Sequence, residues 1–476
     1  MNTDSVNRFA GLDRRFLLRG WQGMPYALLD DITGQVCIVP EAVFRTMQLC
    51  NGQYREYDPV FFGPRRKILE ELEKKKLIVF SDEPFKLRPE QAYRSYPNHF
   101  IRKVHWSVTG RCNYRCRHCY MSAPHAVLPQ PGTQEMFRIA DEIADCGIPV
   151  VTLTGGEPLI REDFLAIVER LVSRGVRIST IMTNGALVTE ELLDELEKRG
   201  VRCGIDISFD GVDGWHDWMR GVPGAGENAI RALRLCREHG FETGVQTVLH
   251  KGNLPVLRES VRMLSELGVS GAAIGGIDDV GEGHALGPYI LSDEELFEAY
   301  AEYLPQFVED GMPLRSVRFS GMFAYQNGKF GLPRVHGDVT DCCSRALLCS
   351  SMRSTMYLSP DGYVLPCISM SYNEASTQCF PNVSEVSLSE ALSDSAYMRF
   401  IISTAKDYFE HNPECRACAY AKLCAGGCRG SASVASHGEK LMGKDPFACW
   451  YFLGGYYDRA RELIERLQKK VNKYRT

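Results

Sequence analysis

Between residues 103 and 277 the chain alternates short apolar runs with amphipathic stretches. Runs at 103–109, 150–154, 177–183, 202–209, 242–249 and 271–277 carry the two-residue alternation or continuous apolarity of strands. Stretches 164–174, 190–198, 229–239 and 255–267 carry the 3.6-residue period of helices. Strand–helix alternation in series predicts an α/β fold with a parallel sheet and right-handed crossovers. Six such units fall short of the eight that close a barrel. Ahead of them, 15–18, 25–29 and 35–39 read as short strands, with a turn at 31–34. Helical periodicity follows at 41–49, weakly near 58–62, and at 66–74, so 13–80 reads as a small unit of its own. Residues 81–100, with Pro84, Pro89 and Pro97, read as a linker.

Composition narrows the class. The 476 residues are too many for one ordinary core, and two or three domains are expected. A net charge of −5 argues against a general nucleic-acid binder. Residues 1–15 hold no apolar core of a signal peptide, and no run of eighteen apolar residues occurs, so a cytoplasmic chain without membrane contact is expected. In such a compartment eighteen cysteines read as metal ligands rather than disulfides. Eleven fall into ordered spacings; Cys37, Cys50, Cys146, Cys203, Cys236, Cys342 and Cys379 do not, and are expected as buried small apolar residues.

Chemistry concentrates first at Cys112, Cys116 and Cys119, spaced C-x3-C-x2-C directly after the 103–109 strand. Three thiolates hold three irons of a [4Fe–4S] cube and leave one iron open, as catalytic zinc sites keep an open position. A zinc knuckle would bring a matching C-x2-C pair, and none lies nearby. The next three strands also end in polar or glycine-rich motifs: Gly155-Gly156-Glu157-Pro158, Thr183-Asn184-Gly185, and Ser208-Phe209-Asp210 with Arg220 twelve residues beyond Ser208. Barrel enzymes place their active groups at these strand ends.

In these motifs the sequence resembles the radical S-adenosylmethionine (SAM) enzymes. The resemblance implies an open, TIM-like partial (β/α)6 barrel. It also implies a SAM site in which Gly155, Gly156 and Glu157 grip the amino group, Ser208 and Arg220 the carboxylate, and His118 lies near the adenine. The implied chemistry is one-electron cleavage of SAM to a 5′-deoxyadenosyl radical that takes hydrogen from an unactivated C–H. The later cysteines resemble the Cys-rich iron–sulfur extension called SPASM. By that resemblance Cys343, Cys349, Cys367 and Cys428 bind one auxiliary [4Fe–4S] cluster, and Cys415, Cys418, Cys424 and Cys449 a second, making three clusters with SAM as cofactors. Cys343 is preferred over Cys342 because it gives the C-x5-C spacing to Cys349 seen in relatives.

Three strands followed by three helices resemble the winged-helix-like α+β peptide-recognition domain that accompanies radical SAM peptide maturases. The expected division is then 1–95 for recognition domain and linker, 96–320 for the barrel, and 321–476 for the auxiliary-cluster domain with a C-terminal helix. The expected function is oxidative cross-linking of a precursor peptide, by a thioether or carbon–carbon bond. Its leader would add to a sheet edge at 15–18 or 25–29, and an external one-electron donor such as flavodoxin or ferredoxin would reduce the enzyme. A sulfatase-maturing type is disfavoured because Ile368 stands where those enzymes have Asp. Modification of a small redox-cofactor peptide is the next alternative. A non-catalytic iron–sulfur carrier would leave Ser208 and Arg220 without purpose.

Overall fold

A computed structural model describes residues 7–335 and 346–474. The N-terminal unit holds β1 (Phe9–Leu12), β2 (Phe16–Gln22), β3 (Met24–Asp30), β4 (Val36–Ile38), β5 (Asn51–Arg55), β6 (Ile78–Ser81) and β7 (Arg94–His99). They form a four-stranded sheet ordered β4-β3-β2-β7 and a three-stranded one ordered β5-β1-β6. Helices Glu41–Leu49 and Pro64–Lys74 bury Phe44, Met47, Leu69 and Leu72 against Leu12, Leu28 and Ile78. Residues 58–62 make only a 3-10 turn, Pro59–Phe61.

Two sequence expectations change here. The 81–100 stretch is more than a linker, because β7 runs parallel to β2. Neither 15–18 nor 25–29 offers a free edge either: β2 lies between β3 and β7, and β3 between β2 and β4. The free edges are β4 and β7. The unit is pinned to the barrel by Trp21, which is 2% exposed. Its Nε1 donates to the Cys146 carbonyl at 3.0 Å, and its ring stacks on Tyr96. Arg177 donates to the Thr33 carbonyl at 3.1 Å, and Gly34 lies against Val150. Val150 and Arg177 begin their strands, so the unit docks at the N-terminal end of the barrel.

The barrel begins with β8 (Lys103–Ser107), β9 (Val150–Thr154), β10 (Arg177–Thr183), β11 (Gly204–Ser208), β12 (Glu242–Leu249) and β13 (Gly271–Gly276), the six expected strands. β14 (Ser316–Phe319) adds a further parallel strand, extended antiparallel by β15 (Phe323–Gln326) and β16 (Lys329–Gly331). On the other side β17 (Thr355–Leu358) pairs parallel with β8 and antiparallel with β18 (Val364–Leu365). The eleven strands run β16-β15-β14-β13-β12-β11-β10-β9-β8-β17-β18, so one sheet continues past residue 320 at one edge and takes in β17 and β18 at the other. β16 and β18 do not pair, which leaves the barrel open.

Alternation sorts the side chains. Val104, Trp106, Val151, Leu153, Ile205, Ile207 and Val245 face outward and are buried under the helices. The alternate, inward positions are polar or small. No helix among the described residues is long and apolar enough to cross a membrane.

Candidate active site

The Cys112–Cys119 loop is held from three sides by backbone. Gly156 and Glu157 donate their N–H groups to the Thr109 and Arg111 carbonyls at 2.8 and 2.9 Å. The helix Trp215–Arg220 accepts from Arg115 and Arg117 through the Arg220 and Met219 carbonyls. Glu282 donates to the Cys119 carbonyl at 3.0 Å. The approach is close enough that a Cβ on Gly156 would stand 2.3 Å from the Arg111 oxygen, and one on Gly221 2.3 Å from the Arg115 oxygen. Glycine is required at both positions by contact.

All three sulfurs line one cavity of about 240 Å³ with His118, Gly155, Gly156, Ser208 and Arg220. Each sulfur also receives N–H donors: Cys112 from Tyr114 N and Asn184 Nδ2, Cys116 from Arg220 Nη1, Cys119 from Ala123 N. Burial pushes the Cys112 thiol up to about 12. A metal that takes the thiolate form would overcome that cost. Three sulfurs facing one space and supplied with donors fit a cluster with an open corner.

Arg220 enters this cavity with most of its guanidinium committed. Nε and Nη2 donate to Asp210 at 2.7 and 3.0 Å, leaving Nη1 pointing to Cys116. Asp210 also accepts from Val248 N and contacts His216 Nδ1 at 3.1 Å. Burial alone would raise the Asp210 carboxyl; Arg220 and His216 outweigh it and hold it well below the usual carboxylate range. Asp210 is a positioning residue that motif reading did not single out, because a lone acid has no spacing to betray it. Burial, then Arg220, lowers His118 to about 3, so its imidazole is neutral. Its buried Nδ1 has no hydrogen-bond partner among the described residues, which suits a ring that contacts a bound ligand.

Glu157 differs from its expected place. It is fully buried and does not line the cavity. Its carboxylate accepts from Leu159 N (3.1 Å), Thr183 Oγ1 (2.9 Å) and Asn184 N (2.7 Å), tying the β9 end to the β10 end. Burial pushes its carboxyl up to about 7 against those donors. Glu157→Ala strands three buried donors. It is expected to lower stability by about 3 kcal/mol, read as a lower urea midpoint, with SAM binding weakened through the displaced Asn184. An unchanged midpoint would sink the clamp assignment.

The C-terminal cysteines gather into two places. Cys349, Cys367 and Cys428 lie close enough for their charges to act on one another; Cys343 falls outside the described residues. Cys415, Cys418, Cys424 and Cys449 line a second small cavity together. Among the described residues no three His, Cys, Asp or Glu side chains are arranged to hold a single metal ion. Asp445, also unforeseen, joins the two places: it accepts from Cys428 N at 2.8 Å and lines the second cavity. Ile368, directly after Cys367, lines the first cavity, so the two ends of the chain share a wall. Of the cysteines outside the spacings, Cys50, Cys146, Cys203 and Cys236 are buried. Cys37 and Cys379 are exposed, contrary to expectation, Cys37 because it sits on the edge strand β4.

The comparisons agree with this geometry. The radical SAM superfamily profile matches residues 106–264, and SPASM, an iron–sulfur cluster-binding domain, matches 349–419. An AdoMet-dependent heme synthase of Oleidesulfovibrio alaskensis is 28% identical over 74% of this chain and 87% of its own length. A PqqA peptide cyclase of Granulibacter bethesdensis is 28% identical over 68% of this chain and 80% of its own. SuiB of Streptococcus suis, solved bound to its precursor peptide SuiA, shares the fold with a TM-score of 0.64 at 17% identity, over 92% of this chain and 99% of that one. The chain is an enzyme that carries a radical SAM domain over residues 106–264 and, beyond it, an SPASM iron–sulfur cluster-binding domain over 349–419.

Proposed function

We propose that the enzyme matures a precursor peptide, removing two hydrogens and closing a thioether or carbon–carbon cross-link. Cys112, Cys116 and Cys119 would hold the [4Fe–4S] cluster that, with SAM, supplies a 5′-deoxyadenosyl radical for hydrogen abstraction. The backbone at Gly155 and Gly156, Ser208 and the Nη1 of Arg220 that is not bonded to Asp210 would hold the SAM amino acid, and neutral His118 the adenine. Asp210 fixes Arg220 for that task, and Tyr120, Met121 and Ile368 wall the cavity against water. The two C-terminal cysteine sets would hold two further clusters, bringing the count to three. One of them would accept the electron that leaves the substrate radical as the second hydrogen departs as a proton and the cross-link closes. The electron is taken from an external donor such as flavodoxin or ferredoxin.

The observation that carries this reading is the N-terminal unit with its edge strand β4, paired with β3 on one side only. A leader peptide adds to such an edge by main-chain hydrogen bonds. That unit sits at the N-terminal end of the barrel and the cysteine loop at the other. β12 alone spans eight residues, about 26 Å. A docked leader must therefore be separated from the modified residue by at least about eight extended residues. Shortening the spacer below that length is expected to stop processing, and uniform processing of all spacer lengths would refute docking at this end. The direct test is anaerobic incubation with the short peptide encoded beside the gene, followed by mass spectrometry for loss of two hydrogens. The similarity to heme synthases favours a second reading, oxidation of a small molecule. In that case the precursor returns unchanged.

A further inference from the structure

Closed barrels fill their interior with layers of bulky branched side chains. Here the inward positions of the lower half carry Gly204, Gly244, Gly271 and Ala273, and a cavity of about 440 Å³ remains. Gly244 leaves space for a charge: a Cβ there would stand 2.3 Å from Asp206 Oδ1. Asp206 and Gln246 line both this cavity and the one above. Strand register draws the same line. Ser208 is paired with Gln246, Gln246 with Ala273, and Ala273 with Arg318. One row of inward side chains thus runs from the SAM cavity to Arg318.

The charges in this space are not spent on one another. Lys103 and Arg318 both act on Asp206, yet Asp206 is bonded only by Gln246 Nε2, at 3.3 Å. Among the described residues no cation stands within 4.0 Å of it. The Arg318 guanidinium and Lys103 ammonium have no hydrogen-bond or ion-pair partner among the described residues either. Glu242, at the rim, is taken by Arg315. His105 is lowered to about 4 by burial and then by Lys103 and Arg318, so it adds no charge. Burial raises Asp206. Arg318 thus lines a half-enclosed space with its guanidinium unpaired among the described residues, while Lys103 acts on Asp206 from outside that lining.

We propose that the lower barrel is a subsite for a carboxylate carried by the substrate, with Arg318 as its anchor. The guanidinium fork matches a carboxylate in two parallel hydrogen bonds. Arg318 is three strand spacings from Ser208, about 14 Å around the wall. The anchored group therefore belongs to a residue within about three positions of the one modified. The peptide reading supplies only the molecule that carries the carboxylate, either an acidic side chain or a chain end.

The test uses full-length, anaerobically reconstituted enzyme with SAM and three probes in equilibrium dialysis. N-acetylglutamate α-amide carries a side-chain carboxylate, N-acetylglutamine a terminal one, and N-acetylglutamine amide neither. One acid is expected to bind about tenfold more tightly than the neutral amide, and which one identifies the source. Arg318→Gln should erase the preference, Arg318→Lys should keep only part of it because it loses the two-pronged bond, and Asp206→Asn should not weaken it. Iron content reports folding; if Arg318→Gln does not fold, Lys103→Met must reduce the preference instead. Equal binding of all probes, no binding, or a preference that survives Arg318→Gln overturns the assignment. The probes carry no leader, so an unmodified precursor, which defeats the peptide reading, leaves this outcome intact.

Discussion

Replacing Cys112, Cys116 and Cys119 together by alanine is expected to abolish 5′-deoxyadenosine formation and remove about four irons per chain after reconstitution. The loop itself should stay in place. Its ties to Gly156, Arg220 and Glu282 are backbone hydrogen bonds that alanine leaves untouched. Arg220 keeps both bonds to Asp210. The loss should therefore be confined to one cluster, with the iron owed to the C-terminal cysteines retained. The measurement is iron per chain beside product by chromatography, under reducing, anaerobic conditions. Residual 5′-deoxyadenosine above the metal-free background would show that these three sulfurs are not the site.

What could be read from the sequence follows the physics of each signal. Six barrel strands were legible because their outward residues must be apolar under the helices. β14 was not: Ser316–Phe319 is four residues long, with Arg318 among them for the barrel interior. β1, β5 and β6 were missed as well. Motif spacing exposed the cysteine loop, but it placed Glu157 in the SAM site, and only the folded chain shows three donors turning that carboxylate into the protein. Asp445 and Asp206 act through partners brought from distant segments, and no local pattern marks them; Asp210 lay inside the strand-end motif, but only the folded chain shows it holding Arg220. Edge strands are illegible in principle from sequence alone, since β2 is interior only because β7 returns to cover it.

That topology sets the second large effect, at β4. Val39 N–H donates inward to the Tyr26 carbonyl at 3.0 Å. Antiparallel alternation then turns the N–H of Ile38 outward, to the free edge. Ile38 is 74% exposed. Proline is tolerated on edge strands where the missing N–H faces solvent, so Ile38→Pro should fold and bind iron normally. A docked leader would lose a main-chain bond and meet the ring instead. Tethering raises the effective concentration of the core peptide to about millimolar. Without it, processing at micromolar precursor is expected to fall by about 100-fold and to recover at millimolar precursor. Ile38→Ala keeps the N–H and should lose only a few-fold, which separates strand addition from a plain apolar contact. If Ile38→Pro processes micromolar precursor at the parent rate, β4 does not dock the leader, and the small-molecule reading moves ahead.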